Sequence, residues 1–283
     1  MKVELIKPYG YCIGVANVIK QIHKIASSHP NEKIFCVGQV VHNQKVNDGL
    51  ASIGVKVLQG DKNELIENIN SGVVIFSAHG TDISIIEKAK QKGLIVYDLV
   101  CPFVKKSFDI INSKLKENSD VIYIGVKNHA ESTAALSIDK KIHFVTNVSD
   151  VDKLNINNDN IVVINQTTLS ILDIKDIYDK ISNKYPNVKI IDEICNSTRI
   201  RQQVLLDKQI SCDGLIVVGD KNSNNSLSLY KIAKQQGYDT IFISCEEELE
   251  YSWLNNKKSV SIMSGASTSQ AVVEEIFEKI KKY

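Results

Sequence analysis

Ile95-Val96-Tyr97-Asp98-Leu99-Val100-Cys101-Pro102 reads as a short apolar strand running into a cysteine, and a helical segment follows it. Two other stretches have the same form. Val3-Glu4-Leu5-Ile6 leads to Cys12, and Val188-Lys189-Ile190-Ile191 leads to Cys195. The three cysteines are 89 (101 − 12) and 94 (195 − 101) residues apart. Each therefore falls where a strand hands over to a helix. A helix N-terminus, with its unpaired N–H groups and positive dipole end, favours a thiolate there.

The segments between the cysteines form one unit, read three times. In the first, Gly14 to Ser27 carries Val15, Val18, Ile19, Ile22 and Ile25 at helical spacing. Ile34 to Val37 reads as a strand ending in Gly38-Gln39-Val40-Val41-His42-Asn43, and Val55 to Leu58 as another. A helix over 63–69 follows, then a strand over 73–76 ending in Ser77-Ala78-His79-Gly80-Thr81, then a helix over 83–92 closed by Gly93. The second unit has a helix over 108–117 and a strand over 121–124 ending in Gly125-Val126-Lys127-Asn128-His129-Ala130-Glu131. Strands over 142–145 and 161–164 come next, the latter ending in Asn165-Gln166-Thr167-Thr168-Leu169-Ser170, then a helix over 171–184. The third has a helix over 201–210, a strand over 215–218 ending in Gly219-Asp220-Lys221-Asn222-Ser223-Asn224-Asn225, and strands over 240–244 and 260–263. The last strand ends in Ser264-Gly265-Ala266-Ser267-Thr268, before a helix over 269–282.

A self-similar period of this length sets the fold. The expectation is an α/β chain of three similar parallel-sheet units, arranged pseudo-threefold around a central cavity. The units are 14–98, 99–192 and 193–283. Residues 1–13 add the closing strand that the third unit lacks. Ligands of parallel sheets bind beyond the carboxyl ends of the strands, where all the unusual polar loops lie.

Composition excludes several function classes. Apolar residues make up 43% and charged residues 24%, as in an ordinary globular protein. A net charge of +1 predicts no general affinity for nucleic acid or an anionic membrane, so an anionic ligand needs local donors. No apolar run approaches the roughly 18 residues of a membrane span, and Met1-Lys2-Val3-Glu4 lacks a signal-peptide core. A cytoplasmic location is the expectation. Six cysteines there are core thiols, metal ligands or catalytic groups before they are disulfides, and no C-x-x-C occurs.

Three thiolates converging from three units fit a [4Fe–4S] cluster with one open iron, able to act as a Lewis acid toward a substrate oxygen. The alternative for any one of them is a small buried core thiol, which is how Cys36, Cys212 and Cys245 are read. His42, His79 and His129 each follow a strand and suit an anion. Asn222, Ser223, Asn225 and Ser267, beside helix starts, form a candidate oxyanion cradle. The alternatives are satisfied structural histidines and an asparagine-rich surface loop. Glu131 is placed to deliver protons, or to begin a helix. Thr167 and Thr168 are placed to relay them, or to cap one.

Taken in order, these residues resemble the 4-hydroxy-3-methylbut-2-enyl diphosphate reductase family over essentially the whole chain. The resemblance rests on Pro8-Tyr9-Gly10-Tyr11-Cys12-Ile13-Gly14-Val15, Val40-Val41-His42-Asn43, Phe76-Ser77-Ala78-His79-Gly80 and Cys101-Pro102. It continues through His129 and Glu131, Gln166-Thr167-Thr168-Leu169-Ser170, Ile194-Cys195 with Thr198, Arg201 and Gln202, then Lys221-Asn222-Ser223 with Asn225, and Gly265-Ala266-Ser267. It implies a trefoil, a [4Fe–4S] cluster on Cys12, Cys101 and Cys195, and reductive removal of a hydroxyl to give isopentenyl and dimethylallyl diphosphates. It places His42, His79, His129, Thr167, Thr168, Ser223, Asn224, Asn225 and Ser267 on the substrate. It gives Glu131, Thr167 and His129 the catalytic roles, and reduced ferredoxin or flavodoxin the electron supply. An iron–sulfur hydro-lyase and a non-enzymatic phosphate-ligand binding protein are the rival readings. The chain departs from the family at Val100 (usually Thr), Ala130 (usually Pro), Asn224 (usually Ser) and Ser264 (often Ala).

Overall fold

The computed structural model describes residues 1–41 and 44–283. In chain order it runs β1 (Lys2–Leu5), α1 (Ile13–Ser28), β2 (Ile34–Val37), α2 (Gln44–Ser52), β3 (Val55–Leu58), α3 (Lys62–Glu67), β4 (Val73–Phe76), α4 (Ile83–Gln91) and β5 (Ile95–Asp98). Next come α5 (Pro102–Lys116), β6 (Asp120–Ile124), α6 (Ala130–Ser137), β7 (His143–Val145), α7 (Asp150–Lys153), β8 (Ile161–Asn165), α8 (Ile171–Lys184) and β9 (Lys189–Ile191). The remainder is α9 (Asn196–Leu206), β10 (Gly214–Val218), α10 (Asn224–Gln235), β11 (Thr240–Ile243), β12 (Ser259–Ser264) and α11 (Gln270–Lys282).

The strands form three four-stranded parallel sheets, in the orders β3-β2-β4-β5, β7-β6-β8-β9 and β11-β10-β12-β1. The order is the same each time. In the third sheet the fourth position is taken by β1, with Val3 opposite Val260 and Leu5 opposite Ile262. The N-terminal strand thus completes the C-terminal sheet, as the repeat predicts.

Central strands are apolar throughout because helices cover both faces of a parallel sheet. Val73 to Phe76 and Leu215 to Val218 are completely buried, each side chain contributing about 1.5–3 kcal/mol. The edge strand β1 alternates exposed and half-buried residues instead. Each sheet carries two apolar clusters, one per face. Around the first sheet, α1 inserts Val18, Ile22 and Ile25 on one side, and α4 inserts Ile85, Ile86 and Ala89 on the other.

Four helices escape the periodicity reading, among them the single turn α7. α6, Ala-Glu-Ser-Thr-Ala-Ala-Leu-Ser, has no apolar stripe, and it buries Glu131 and Ser132 beside two alanines. α2 and α10 fall in segments to which the periodicity assigns no element. Two others begin earlier than predicted: α5 at Pro102 and α9 at Asn196. Their first turns show no apolar period because one face meets the central cavity. α9 turns Thr198 to that cavity and buries Arg201 and Gln202 against neighbouring segments.

Candidate active site

Each of the three cysteines is the N-cap of a helix: Cys12 of α1, Cys101 of α5 and Cys195 of α9. Each is held by the same bond. Its backbone N–H donates to the carbonyl two residues beyond the third strand of a sheet: Cys12 to Ala266 (2.8 Å), Cys101 to Ala78 (2.9 Å) and Cys195 to Thr167 (2.9 Å). Those carbonyls belong to the polar loops identified in the sequence, so one hydrogen bond per unit ties each thiol to its loop. All three cysteines line one cavity. Val15 N–H donates to Cys12 Sγ (3.4 Å), and Thr198 Oγ1 lies 3.1 Å from Cys195 Sγ. Burial pushes the Cys101 and Cys195 thiols up, and negative charge at the neighbouring thiols adds to this.

His129 and Ser223 stand five residues after β6 and β10 and cap α6 and α10. His129 Nδ1 accepts from Glu131 N–H (3.2 Å), and Ser223 Oγ from Ser226 N–H (3.4 Å). His42 stands five residues after β2 in the sequence, but lies outside the described residues. His79 meets His129 edge to face, with ring centroids 5.6 Å apart. Ser223 Oγ and Ser267 Oγ are 3.2 Å apart. Both line the cavity at the N-terminus of α10, with Asn224 and Asn225 in its first turn. Ser226 packs so close to Gly219 and Gly265 that a Cβ on either would strike it. These glycines let the start of α10 approach the sheet.

Glu131 lies in the first turn of α6 and not in a loop, and it is fully buried. It does not line the cavity. Its carboxylate accepts from Thr167 N–H and from Thr167 Oγ1, both at 2.8 Å, and Thr167 is at the cavity wall. Burial raises its pKa from the ordinary 4.5 to about 7, against the opposing hydrogen bonds from Thr167. A carboxyl poised near neutrality behind a hydroxyl is suited to pass a proton into the cavity.

Asn225 is tied into the scaffold. Its Oδ1 accepts from Ala266 N–H (2.9 Å) and its Nδ2 donates to Thr198 Oγ1 (2.9 Å). Thr198 joins this amide to Cys195, a linkage no spacing rule reveals. Thr168 lines the cavity, with its Oγ1 accepting from Gln166 Nε2 (2.9 Å).

The profile of the LytB protein family matches residues 3–281. This chain belongs to the LytB family. A curated relative, the 4-hydroxy-3-methylbut-2-enyl diphosphate reductase of Geobacillus sp. (strain WCH70), is 36% identical, over 100% of this chain and 91% of its own length. Among solved structures, the E-1-hydroxy-2-methyl-but-2-enyl-4-diphosphate reductase from Plasmodium falciparum superimposes with a TM-score of 0.91 at 32% identity, covering 99% of this chain and 88% of that one. An (E)-4-hydroxy-3-methyl-but-2-enyl diphosphate reductase described as the terminal enzyme of the non-mevalonate pathway superimposes with a TM-score of 0.72 at 28% identity, covering both chains fully.

LytB proteins are iron–sulfur enzymes. The residues here fit such a group. A Cβ on Gly14 would lie 2.8 Å from Cys101 Sγ and 3.7 Å from Cys12 Sγ. The missing side chain leaves a cradle between two sulfurs. Among the described residues, no three His, Cys, Asp or Glu side chains are drawn together tightly enough for one metal ion. The three thiols line one shared cavity, an arrangement compatible with a cluster of several irons.

The other candidates take ordinary places. Cys36 is buried in β2, its thiol pushed up to about 12 by burial. Cys212 and Cys245 are half-buried, not fully in the core as expected. His29 pairs with Tyr97 (2.8 Å) and His143 with Asp120 (2.9 Å). Of the departures, Ala130 takes the first position of α6, where proline is favoured without being required. Ser264 adds a hydrogen bond, accepting from Gly10 N–H at 2.9 Å.

Proposed function

We propose that this chain reduces 4-hydroxy-3-methylbut-2-enyl diphosphate in the three-thiol cavity, with Cys12, Cys101 and Cys195 as the protein ligands of a [4Fe–4S] cluster that has one open iron. Two electrons and two protons enter. The carbon–oxygen bond to the hydroxyl breaks, water leaves, and isopentenyl or dimethylallyl diphosphate forms. The cluster, when bound, supplies the electrons and a Lewis-acid iron for the hydroxyl oxygen.

The protein's own side chains do the rest. Ser223 and Ser267 donate to the diphosphate at the N-terminus of α10, where backbone N–H groups and the helix dipole favour an anion. Asn224 and Asn225 flank that position, with Asn225 holding the Ala266 backbone and Thr198 in place. His79 and His129 face each other at the cavity wall and supply further donors. His42 takes the equivalent part in the first unit. Thr168 contacts the substrate beside Thr167. Glu131 holds a proton near neutral pH and passes it through Thr167 Oγ1 to the leaving hydroxyl or to the allylic carbon.

The observation that carries this reading is the identical anchoring of three cysteines on one cavity, whose wall also bears paired hydroxyls and a threonine backed by the buried Glu131 carboxyl. Residues 14–98, 99–192 and 193–283, the last completed by 1–13, are the three structural units that deliver them. Reduced ferredoxin or flavodoxin supplies the electrons. The chain works in the cytoplasm without nucleic acid or membrane. Among the described residues, no helix is long and apolar enough to cross a membrane.

Anaerobic reconstitution tests the proposal. The chain takes up about four irons and four sulfides and turns brown. Alanine at any one of the three cysteines abolishes the visible absorbance. Full retention of iron in any of the three variants would remove that cysteine from the ligand set.

A further inference from the structure

Arg201 is a buried guanidinium, 3% exposed. Its nitrogens reach three separate segments. Nε donates to the carbonyl of Ser264 at the end of β12 (3.1 Å), Nη2 to the carbonyl of Gly10 (2.9 Å), and Nη1 to the carbonyl (3.1 Å) and hydroxyl of Ser197. Gly10 lies two residues before Cys12, and Ser197 two after Cys195. Ser264 lies two before Ala266, whose carbonyl holds Cys12 N–H. One fork thus fastens both segments that bear these thiols, and the loop that anchors one of them.

Every one of these partners is neutral. Among the described residues, no Asp or Glu pairs with Arg201. Burying a guanidinium without a counter-charge is costly. Burial lowers its pKa, and negative charge on the Cys12 and Cys195 sulfurs acts the other way. The attraction is mutual, and it strengthens in a low-dielectric interior. Fixed positive charge near an iron–sulfur group favours the more negative, reduced form, because net charge and hydrogen bonds around the sulfurs set the potential.

We propose that Arg201 is a positioning residue that clasps the Cys12 loop to the start of α9, and whose unpaired buried charge raises the reduction potential of the iron–sulfur group held by the thiols. This rests on the thiols being the ligands, as proposed above. Gln202, beside it, makes the matching link to the second unit: Ile171 N–H donates to Gln202 Oε1 (2.8 Å), and Gln202 Nε2 donates to Leu169 O (3.1 Å).

The test compares Arg201→Gln, which loses the charge, with Arg201→Lys, which keeps it while losing the fork. Both are measured as reconstituted protein in a redox titration followed by electron paramagnetic resonance. At the potential where the unaltered protein is half reduced, the Gln variant should show a reduced-to-oxidised ratio lower by about tenfold, equivalent to about 59 mV for one electron. The Lys variant should stay within about threefold, or about 30 mV by the same conversion. A Gln variant that titrates with the unaltered protein, or Gln and Lys variants that shift alike, would overturn the inference. If only the Lys variant takes up iron, the charge requirement is upheld. If neither does, or only the Gln variant does, the electrostatic role is wrong. Failure of the unaltered chain to take up iron and sulfide would refute the ligand assignment itself, and the inference with it.

Discussion

Replacing Glu131 by Gln separates the cost of a buried charge from its use. The carboxyl is fully buried, and its pKa is raised from 4.5 to about 7. The folded state therefore holds the proton more tightly than the unfolded chain does. This contribution to stability is complete below about pH 4.5 and is lost as the pH rises through 7. At about 1.36 kcal/mol per pH unit, the rise corresponds to about 3 kcal/mol. Gln keeps both contacts: its carbonyl accepts from Thr167 N–H, and its amide donates to Thr167 Oγ1. It has no charge to desolvate. Urea unfolding of both cluster-loaded proteins should give similar stabilities near pH 4.5. At pH 8 the Gln variant should be more stable by about 3 kcal/mol, while its kcat is lower by about 10²–10⁴-fold because no proton is delivered. Parallel stability curves from pH 4.5 to 8 would refute the argument that burial raises this pKa. Undiminished turnover would refute the proton-delivery role.

Further outcomes follow from the same geometry. Thr167→Val removes the hydroxyl that bridges Glu131 to the cavity and one hydrogen bond that lowers its pKa; the alkaline limb of the kcat profile should move to higher pH and kcat should fall. Gly14→Ala puts a methyl group 2.8 Å from Cys101 Sγ, so iron content after reconstitution should drop while the circular-dichroism spectrum is unchanged. Ser223→Ala and Ser267→Ala should each raise KM by about tenfold, as expected for losing one hydrogen bond to a charged group. The double variant should show non-additive loss, because the two hydroxyls lie 3.2 Å apart and hydrogen-bond to each other.

The parts of this protein that obey a period were legible in the sequence. Apolar runs such as Val73 to Phe76 announce buried parallel strands. The spacing of Cys12, Cys101 and Cys195 announces three units, and β1 on β12 closes the third as that spacing requires. What the sequence hid lies where helices turn polar faces inward. α6 buries Glu131 and Ser132, and α9 buries Thr198, Arg201 and Gln202. Neither face shows an apolar stripe, so α6 and the first turn of α9 carry no periodic signal. The positions His129 and Ser223 were found as loop residues, but their shared place five residues after a strand, as caps of equivalent helices, needed the strand ends. The link from Asn225 through Thr198 to Cys195 spans about 30 residues of sequence and has no local signal, because hydrogen bonds between side chains of different elements obey no period.

The central claim is a reductive removal of hydroxyl in the three-thiol cavity. Its most direct test is an anaerobic assay of the reconstituted chain with 4-hydroxy-3-methylbut-2-enyl diphosphate and a chemical reductant, with the products separated by chromatography. The account predicts that substrate is consumed only when reductant is present, two electrons per molecule, and that isopentenyl and dimethylallyl diphosphates appear together. Turnover without reductant, or none from protein that carries its full complement of iron and sulfide, would contradict it.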